Sequence, residues 1–514
     1  MKKTFSILLA LTLLNVGVIN ACTNLLVGKN ASTDGSTMIT YAADSYWLFG
    51  ALYHYPAATY ADGEMLKVYE WDTGNYLGMI DQAKETYSVI GNTNEFQVTI
   101  GETTYTGIPE LQDTTGLIDY GSLIYISLQR SKTAREALYN MVTLVEKYGY
   151  YSTGESFSIG DPNEIWIMDL IGKGVGNKGA VWVARRLPDD CISAHANQAR
   201  ITTFPRESRK DKTTISSKNL KRLFSPEVTT VYAHDVVSFA REKGYYTGTD
   251  AEFSFSDVYN PLDFGGLRFC EARVWSFFRT YNPEMEKYIS YIKGETKERM
   301  PLWIKPVAKL SVADVRNMTR DHYEGTEIDM TTSMGNGAYN SPYRMTPLTY
   351  KDKNGVEYFH ERPIATQQTG FTFVSQMRGY APEVGGIFWF GVDDATCSVY
   401  VPIYSKCNIV PESFSQNTAS ILDFSWNSAF WVNNWVAEMT YNRYNALHPI
   451  VQAKQIEIET YFENQVKEID RRASGMAQNN PEGVVEYLTA QSNAAAANAI
   501  DTWKKLGEYL MVKF

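Results

Sequence analysis

The sequence predicts an α+β protein in which antiparallel strands come first and helices come last. Two observations predict this class. Before residue 414, short strand-like runs are separated by turn-forming Asp, Asn and Gly. From residue 414 onwards, apolar positions recur at three- and four-residue spacing with charges between them, as in amphipathic helices. We therefore expect a body at residues 22–413 and a helical region at residues 414–514 that packs on it.

The first element of the chain is a leader segment. Lys2 and Lys3 precede an apolar run at residues 5–19, and the small residue Ala21 then offers a cleavage site. This layout is typical of a secretory signal peptide, and the run is shorter than the roughly 20 residues that a spanning helix needs. We expect removal of residues 1–21, no membrane span in the mature chain, and a periplasmic or secreted location in the bacterial envelope.

The composition argues against several classes of partner. A chain of 514 residues with 44% hydrophobic content can bury a large core. Its net charge of −10 argues against binding to nucleic acid or to an anionic membrane surface. The six histidines are scattered and form no recognisable metal or Cys-His motif. We therefore expect no nucleic acid partner, no metal and no cofactor.

The five cysteines are odd in number, which leaves at least one thiol unpaired in an exported chain. Cys397 and Cys407 flank a strand-like run, so a local disulfide between them is one alternative. Cys22, directly after the leader, is the cysteine that we predict to be unpaired. The leader by itself leaves Cys22 open as a lipid anchor, a disulfide partner, a core thiol or the first residue of a mature enzyme.

The residues after Cys22 favour the last of these alternatives. The run "CTNLLVG" is strand-like, "KNASTDG" has turn chemistry, and "STMITYAADS" is a second strand. An antiparallel hairpin centred near Thr33 would place Cys22 opposite Asp44. The α-amine of an N-terminal cysteine, with a pKa of about 7.7–8.0, can accept the thiol proton. A carboxylate can orient that amine, so this nucleophile needs no histidine.

Five segments, in order along the chain, resemble the dipeptidase A family of cysteine peptidases, within the N-terminal-nucleophile hydrolase class. The resemblance implies a four-layer αββα sandwich of two antiparallel sheets, with the helical C-terminal region as an extension. It also implies an enzyme that hydrolyses small peptides. The segments begin at Cys22 and continue through 92–105, 160–201, 329–344 and 385–405.

The resemblance also implies roles for individual residues. Cys22 would be the nucleophile and Asp44 would hold its α-amine. Asn94 and Asn197 would support the oxyanion of the tetrahedral intermediate, which is charge that develops only during the reaction. Arg273 resembles a basic residue that related hydrolases place near the nucleophile. For the asparagines a turn at a strand end is the ordinary alternative, and for Arg273 it is a plain salt bridge.

One position departs from the related hydrolases, which often carry arginine three residues before the aspartate. Here that position is Tyr41, whose hydroxyl can donate a hydrogen bond but carries no positive charge. The departure bears on how a thiolate is stabilised.

Several alternatives stay open at the level of sequence. Small peptides are the expected partners, and the C-terminal helices could form an outer layer or the surface of a homo-oligomer. The preferred dipeptides are not legible. Another amide hydrolase of the same class, or a lipoprotein anchored through Cys22, are the alternative functions.

Overall fold

The three-dimensional structure is a computed structural model. It describes residues 22–45, 47–333, 335–343, 350–351, 353, 355, 357–358 and 362–513. The predicted signal peptide lies outside the described residues, as do two positions, Met334 and Arg344, of the motif at 329–344.

Strands dominate the chain up to residue 404. In chain order the described strands are β1 (Asn24–Val27), β2 (Thr37–Asp44), β3 (His54–Tyr55), β4 (Ala58–Thr59), β5 (Met65–Tyr69), β6 (Tyr76–Asp81), β7 (Glu85–Thr86), β8 (Val89–Ile90), β9 (Thr93–Asn94), β10 (Thr99–Thr106), β11 (Gly154–Gly160), β12 (Ile165–Gly172), β13 (Ala180–Arg186), β14 (Ile192–His195), β15 (Thr214–Ser216), β16 (Thr230–Tyr232), β17 (Trp303–Ile304), β18 (Tyr350–Lys351), β19 (Glu357–Tyr358), β20 (Thr369–Met377), β21 (Ile387–Val392) and β22 (Val401–Tyr404).

Two large sheets collect most of these strands. The first sheet has the order β17-β14-β1-β2-β20-β21-β22, and the second has the order β15-β16-β13-β12-β11-β10-β9-β8-β3. The neighbours pair antiparallel, except that β15 and β16 are parallel. Three two-stranded pairs complete the described strands, namely β18-β19, β4-β7 and β5-β6.

The predicted hairpin at the start of the body is present, with a different register. Its turn contains Gly35, whose φ of +81° suits a residue without a Cβ. Leu26 pairs with Ile39, and Thr23 forms a bridge with Ala42. Continued by one residue, this pairing places Cys22 opposite Ala43. The prediction that Cys22 lies opposite Asp44 is therefore wrong by one residue, because the observed turn is one residue shorter than a loop centred on Thr33 requires.

Polar side chains link the two sheets directly. The imidazole of His195 in the first sheet lies 2.8 Å from the Thr103 hydroxyl and 2.6 Å from the Ser158 hydroxyl in the second. Asn24 Nδ2 donates to the backbone oxygen of Glu102 at 2.7 Å. Because these groups are buried, each hydrogen bond offsets a desolvation cost and fixes how the sheets meet.

The described α-helices form three groups along the chain. They are α1 (Tyr120–Leu128), α2 (Ala134–Tyr148), α3 (Val236–Glu242), α4 (Phe255–Tyr259), α5 (Ala272–Tyr281), α6 (Ile289–Ile292), α7 (Val312–Met318), α8 (Ala429–Tyr441), α9 (Tyr444–Ala477) and α10 (Pro481–Lys513). The groups are α1 and α2, then α3 to α7, and finally α8 to α10. Helices α1 and α2 contact the second sheet, whereas α8, α9 and α10 contact strands of the first sheet.

The helical C-terminal region predicted from periodicity is confirmed. Its first helix begins at Ala429, because residues 415–428 are irregular. The predicted break at "NNPEG" separates α9 from α10, as expected of Asn and Gly flanking a proline that starts a helix. Within the described part of the chain, no helix has the length and apolar character required to cross a membrane.

The cysteines are unpaired. All five lie among the described residues, and all five are buried free thiols. The local disulfide between Cys397 and Cys407 that the sequence allowed is therefore not formed. These two thiols pack instead against the C-terminal helices, where Cys407 Sγ lies 3.3 Å from the Ser492 hydroxyl.

Candidate active site

Cys22 lies two residues before the start of β1, at the wall of a cavity of about 690 Å³. That volume lies in the range typical of small-molecule sites. The wall also includes Tyr41 and Asp44 of β2, Glu102 of β10 and the aromatic ring of Tyr120 at the start of α1. Aromatic side chains from elsewhere in the chain also line the wall, among them Trp47, Tyr53, Tyr55, Trp71, Tyr125 and Phe371.

Strand alternation separates the groups around Cys22 onto two faces of the first sheet. Since Thr23 bridges Ala42, the side chains of Cys22 and Tyr41 project on one face. The Cys22 thiol lies 3.7 Å from the Tyr41 hydroxyl, which in turn donates to Glu102. Tyrosine at position 41 therefore connects the sulfur to a carboxyl group where related hydrolases often have arginine.

The surroundings of the Cys22 sulfur disfavour its ionisation. Burial raises its pKa well above the usual value, and the negative charges of Glu102 and Asp44 raise it further. Hydrogen bonding with the Asp44 backbone and with the Tyr41 hydroxyl opposes the rise in pKa. A thiol attacks as its thiolate, so a role as nucleophile would require a base that removes the proton from this sulfur.

Arg273 holds the main chain of Cys22 on the opposite face of the sheet. Its Nη1 donates to the Cys22 backbone oxygen at 2.6 Å and to the Thr23 hydroxyl at 2.7 Å. Burial and the neighbouring Arg362 lower the pKa of Arg273 to about 10, so the guanidinium stays charged at neutral pH. The arginine comes from α5, and the structure thus brings it to the predicted nucleophile.

Asp44 is buried at the end of β2 and has two partners of its own. It forms an ion pair with Arg362 and accepts from the Thr369 hydroxyl at 2.6 Å. Burial raises the pKa of Asp44, and the charge of Arg362 opposes that rise. Arg362 is a site residue that the sequence analysis missed. It lies 318 residues from Asp44 in the chain and carries no motif that could have marked it.

The two predicted oxyanion asparagines differ in where they lie. Asn197 Oδ1 accepts from Arg273 Nη2 at 2.9 Å, so it is joined to Cys22 through that arginine. Its φ of +61° lies in the left-handed region, where asparagine is one of the better-tolerated residues. Asn94 instead caps a turn of the second sheet, with its amide group bonded to four backbone groups. Neither Asn94 nor Asn197 is among the described residues that line the cavity beside Cys22.

A pair of buried carboxyl groups lies behind Tyr41, and the sequence analysis missed it. Glu102 lines the cavity with Cys22, and Glu155 lines a second cavity of about 560 Å³. The two cavities share wall residues, including Asp72 and Tyr120. Burial raises the pKa of both glutamates, and the Glu102 charge raises the pKa of Glu155 further. Glu102 lies in the family motif at 92–105, and that motif was the feature of the sequence that could have identified it as a site residue.

Other kinds of site find little support near Cys22. No described histidine lines either cavity. Among the residues that the structure describes, no group of three or more His, Cys, Asp or Glu side chains is arranged to hold a metal ion. The chemistry available at the cavity is therefore that of a thiol, carboxyl groups and a tyrosine hydroxyl.

Known proteins resemble this chain over most of its length. A protein named "Probable dipeptidase" from Salmonella dublin is 26% identical over 428 residues, which cover 79% of this chain and 85% of that protein. Another "Probable dipeptidase", from Latilactobacillus sakei, is 24% identical over 504 residues, or 93% and 92% of the two chains. "Dipeptidase A" from Lactobacillus helveticus is 24% identical over 473 residues, which cover 85% of each.

The family assignment rests on a separate match, to the model of a whole family. The model of peptidase family C69 matches residues 21–53 and 48–457, which is well over half of the sequence. The match confirms the resemblance inferred from the ordered motifs. With a cysteine at the head of β1 and a cavity beside it, the chain belongs to peptidase family C69.

Proposed function

We propose that this protein is an exported dipeptidase that hydrolyses dipeptides through Cys22 as an N-terminal nucleophile. The observation that carries the proposal is the position of Cys22. Its thiol faces the cavity, while its main chain is held by Arg273 from behind. The names of the three relatives and the family agree with this activity.

The reaction would begin once residues 1–21 are removed. The free α-amine of Cys22 takes the thiol proton, and the thiolate attacks the peptide carbonyl carbon. The resulting oxyanion collapses to a thioester as the C–N bond breaks, and the leaving amine takes the proton. Water, deprotonated by the same α-amine, then hydrolyses the thioester and restores the thiol.

The surrounding residues would have supporting roles in this reaction. Asp44, fixed by Arg362 and Thr369, orients the α-amine. Asn197 is the oxyanion donor that we retain, since Arg273 donates both to its Oδ1 atom and to the backbone oxygen of Cys22. Asn94 has no role in the proposal, because its amide nitrogen already donates to the backbone oxygens of Leu128 and Ser131.

We further propose that the body is the four-layer αββα sandwich of the N-terminal-nucleophile hydrolases. The contacts between the two sheets support this arrangement. So do α1 and α2 beside the second sheet and α8 to α10 beside the first. Export is supported by the basic start and apolar run of residues 1–21.

Substitution of the nucleophile tests the proposal. Cys22→Ala should abolish hydrolysis of Ala-Ala, and Cys22→Ser should leave a small remainder, because a hydroxyl ionises far less readily than a thiol. Cys397→Ala is the matched control, since Cys397 is also a fully buried thiol. It should change stability and leave turnover intact. A fully active Cys22→Ala protein would overturn the proposal.

The intact mass of the mature protein tests the alternative of a lipoprotein. We expect a chain that starts at an unmodified Cys22. An added diacylglycerol mass on Cys22 would consume the thiol and exclude the nucleophile role.

A further inference from the structure

Two carboxyl groups beside Cys22 have oxygen atoms without a donor. Glu102 and Glu155 are each only 1% exposed. One oxygen of Glu102 accepts from Tyr41, and one oxygen of Glu155 accepts from the Thr104 hydroxyl at 2.9 Å. Among the described residues, neither Oε2 atom accepts from an N–H or hydroxyl group. A proton shared between the two carboxyls is the partner available to them inside the protein.

The geometry of the strands keeps these two glutamates together. Glu155 pairs with Thr104 across β10 and β11, so Glu102 is its diagonal neighbour on the same face of the second sheet. Two carboxylates this close do not both ionise in a buried site, and one shared proton leaves the pair with a single negative charge. A buried negative charge of this kind calls for a cation.

The cavity offers no basic side chain to supply that cation. Among its described wall residues, Asp44, Asp72 and Glu102 carry carboxyl groups, and none is lysine or arginine. Glu102 is joined to the Cys22 thiol through the Tyr41 hydroxyl. The proposed function assigns the Cys22 α-amine to Asp44, so the partner for the glutamate pair would come from a molecule bound at the nucleophile.

Resting on the dipeptidase function proposed above, we propose that Glu102, backed by Glu155, binds the free α-ammonium group of the substrate. In a dipeptide the α-nitrogen is two bonds from the carbonyl carbon that the Cys22 sulfur attacks. Glu102 lines the same cavity as the thiol and is joined to it through Tyr41, so its carboxyl group is placed to hold that nitrogen. The pair's single charge and the ammonium balance each other, so the enzyme selects peptides with an unblocked N-terminus.

The first test compares three substrates with the processed enzyme. N-acetyl-Ala-Ala, which lacks the ammonium, should lose about 100-fold or more in kcat/KM relative to Ala-Ala, as expected when one partner of a buried charge pair is removed. Ala-Ala amide, which keeps the ammonium and lacks the carboxylate, should retain most of the rate. Equal hydrolysis of Ala-Ala and N-acetyl-Ala-Ala would overturn the inference.

The second test uses two matched variants. Glu102→Gln should reduce the preference for Ala-Ala over N-acetyl-Ala-Ala by about tenfold or more, chiefly through the KM for Ala-Ala. Glu155→Gln should reduce it less, because Glu102 keeps its charge. Glu110→Gln, on an exposed residue, is the control. A merely structural role for Glu102 would lower the rates on both substrates alike, which would contradict the inference.

A binding measurement separates this inference from the proposed function. In the Cys22→Ala protein, calorimetry should give a lower Kd for Ala-Ala than for N-acetyl-Ala-Ala, and Glu102→Gln should remove the difference. If the wild-type enzyme hydrolyses no dipeptide, the proposed function fails, and the Kd comparison still decides whether the ammonium site exists. If Glu102→Gln does not fold, the wild-type comparison and Glu155→Gln decide. Equal Kd values would refute the site.

Discussion

Asp44 shows at the scale of a single residue how a buried charge can serve both structure and chemistry. Its carboxylate accepts from Arg362 and Thr369 at the edge of the cavity. Breaking a buried ion pair on one side typically costs about 3–5 kcal/mol, because the remaining charge is left uncompensated. Substitutions at Asp44 therefore affect stability as well as rate, and the two effects must be measured separately.

We predict that Asp44→Asn lowers kcat/KM for Ala-Ala far more than Tyr41→Phe does. The amide turns an NH2 donor towards the α-amine, whereas Tyr41→Phe removes one hydrogen bond, worth roughly tenfold at most. Both rates should be measured well below the melting temperature of each variant. Equal small losses would mean that another group orients the Cys22 amine.

His195 makes the stability of the fold depend on pH. Burial and the charge of Arg200 lower the pKa of His195 to about 3, whereas an unfolded histidine titrates near 6.5. The unfolded chain therefore binds the proton first as the pH falls. The stabilising contribution is complete above about pH 6.5 and decreases as the pH falls towards 3.

We predict that the free energy of unfolding of His195→Gln falls less between pH 6.5 and pH 5 than that of the wild type. For a single histidine of this kind, the free energy of unfolding falls by roughly 1.4 kcal/mol for one pH unit below 6.5. The measurement is the free energy of unfolding in urea at each pH, for wild type and variant. His234→Gln, on an exposed histidine, is the control and should keep the wild-type slope. Identical slopes for all three proteins would exclude His195 as the source.

At the scale of secondary structure elements, α9 is joined to the body through a buried carboxylate. Glu459 accepts from Arg320 at 2.6 Å and from the Tyr400 backbone N–H at 3.0 Å, and it lies 3.4 Å from Arg316. Arg316 belongs to α7, so this cluster ties the C-terminal helices to a helix of the body. Because the cluster is buried, removal of one charged group leaves the others as uncompensated charges inside the protein.

We predict that Glu459→Gln destabilises the protein by about 3–5 kcal/mol, because two guanidinium groups lose their shared anion. Glu457→Gln is the matched control on the same helix. Glu457 is exposed and pairs only with Lys454 among the described residues, so its loss should stay within about 1 kcal/mol. Urea unfolding of both variants provides the measurement. Equal losses would show that the buried cluster does not anchor α9.

At the scale of the whole molecule, the proposed mechanism makes activity depend on where the chain starts. The Cys22 nitrogen is an amide in the full-length precursor and an amine only after residues 1–21 are removed. An amide nitrogen is not a base, so the buried thiol of the precursor lacks the proton acceptor that the reaction needs.

We predict that the precursor hydrolyses Ala-Ala at least about 100-fold more slowly than a chain starting at Cys22, which is the usual contribution of a general base. A chain with one additional alanine before Cys22 separates loss of the free amine from obstruction of the site by residues 1–21. The alanine blocks the amine and adds little bulk. This chain should be as slow as the precursor. A precursor as active as the mature chain would refute the N-terminal-nucleophile mechanism.

The sequence by itself determined the features that depend on local chemistry. The turn around Gly35 and the periodicity after residue 414 predicted the first hairpin and the C-terminal helices. The ordered motifs identified the family and, through it, marked Cys22, Arg273 and Asn197, which the structure brings together. The hairpin and the helices depend on residues that are neighbours in the chain, and the family motifs are recognised by their order. A single sequence contains both kinds of information.

Only the tertiary structure decided which distant residues meet at Cys22. Arg362 reaches Asp44, and Glu102 and Glu155 meet behind Tyr41, because strands far apart in the chain become neighbours when the sheets form and pack. The same packing keeps Asn94 in its own loop, and the one-residue change in hairpin register moves Asp44 away from the position opposite Cys22. Side chains alternate between faces along a strand, so a pairing error of one residue changes which groups face each other, and local patterns do not fix that pairing.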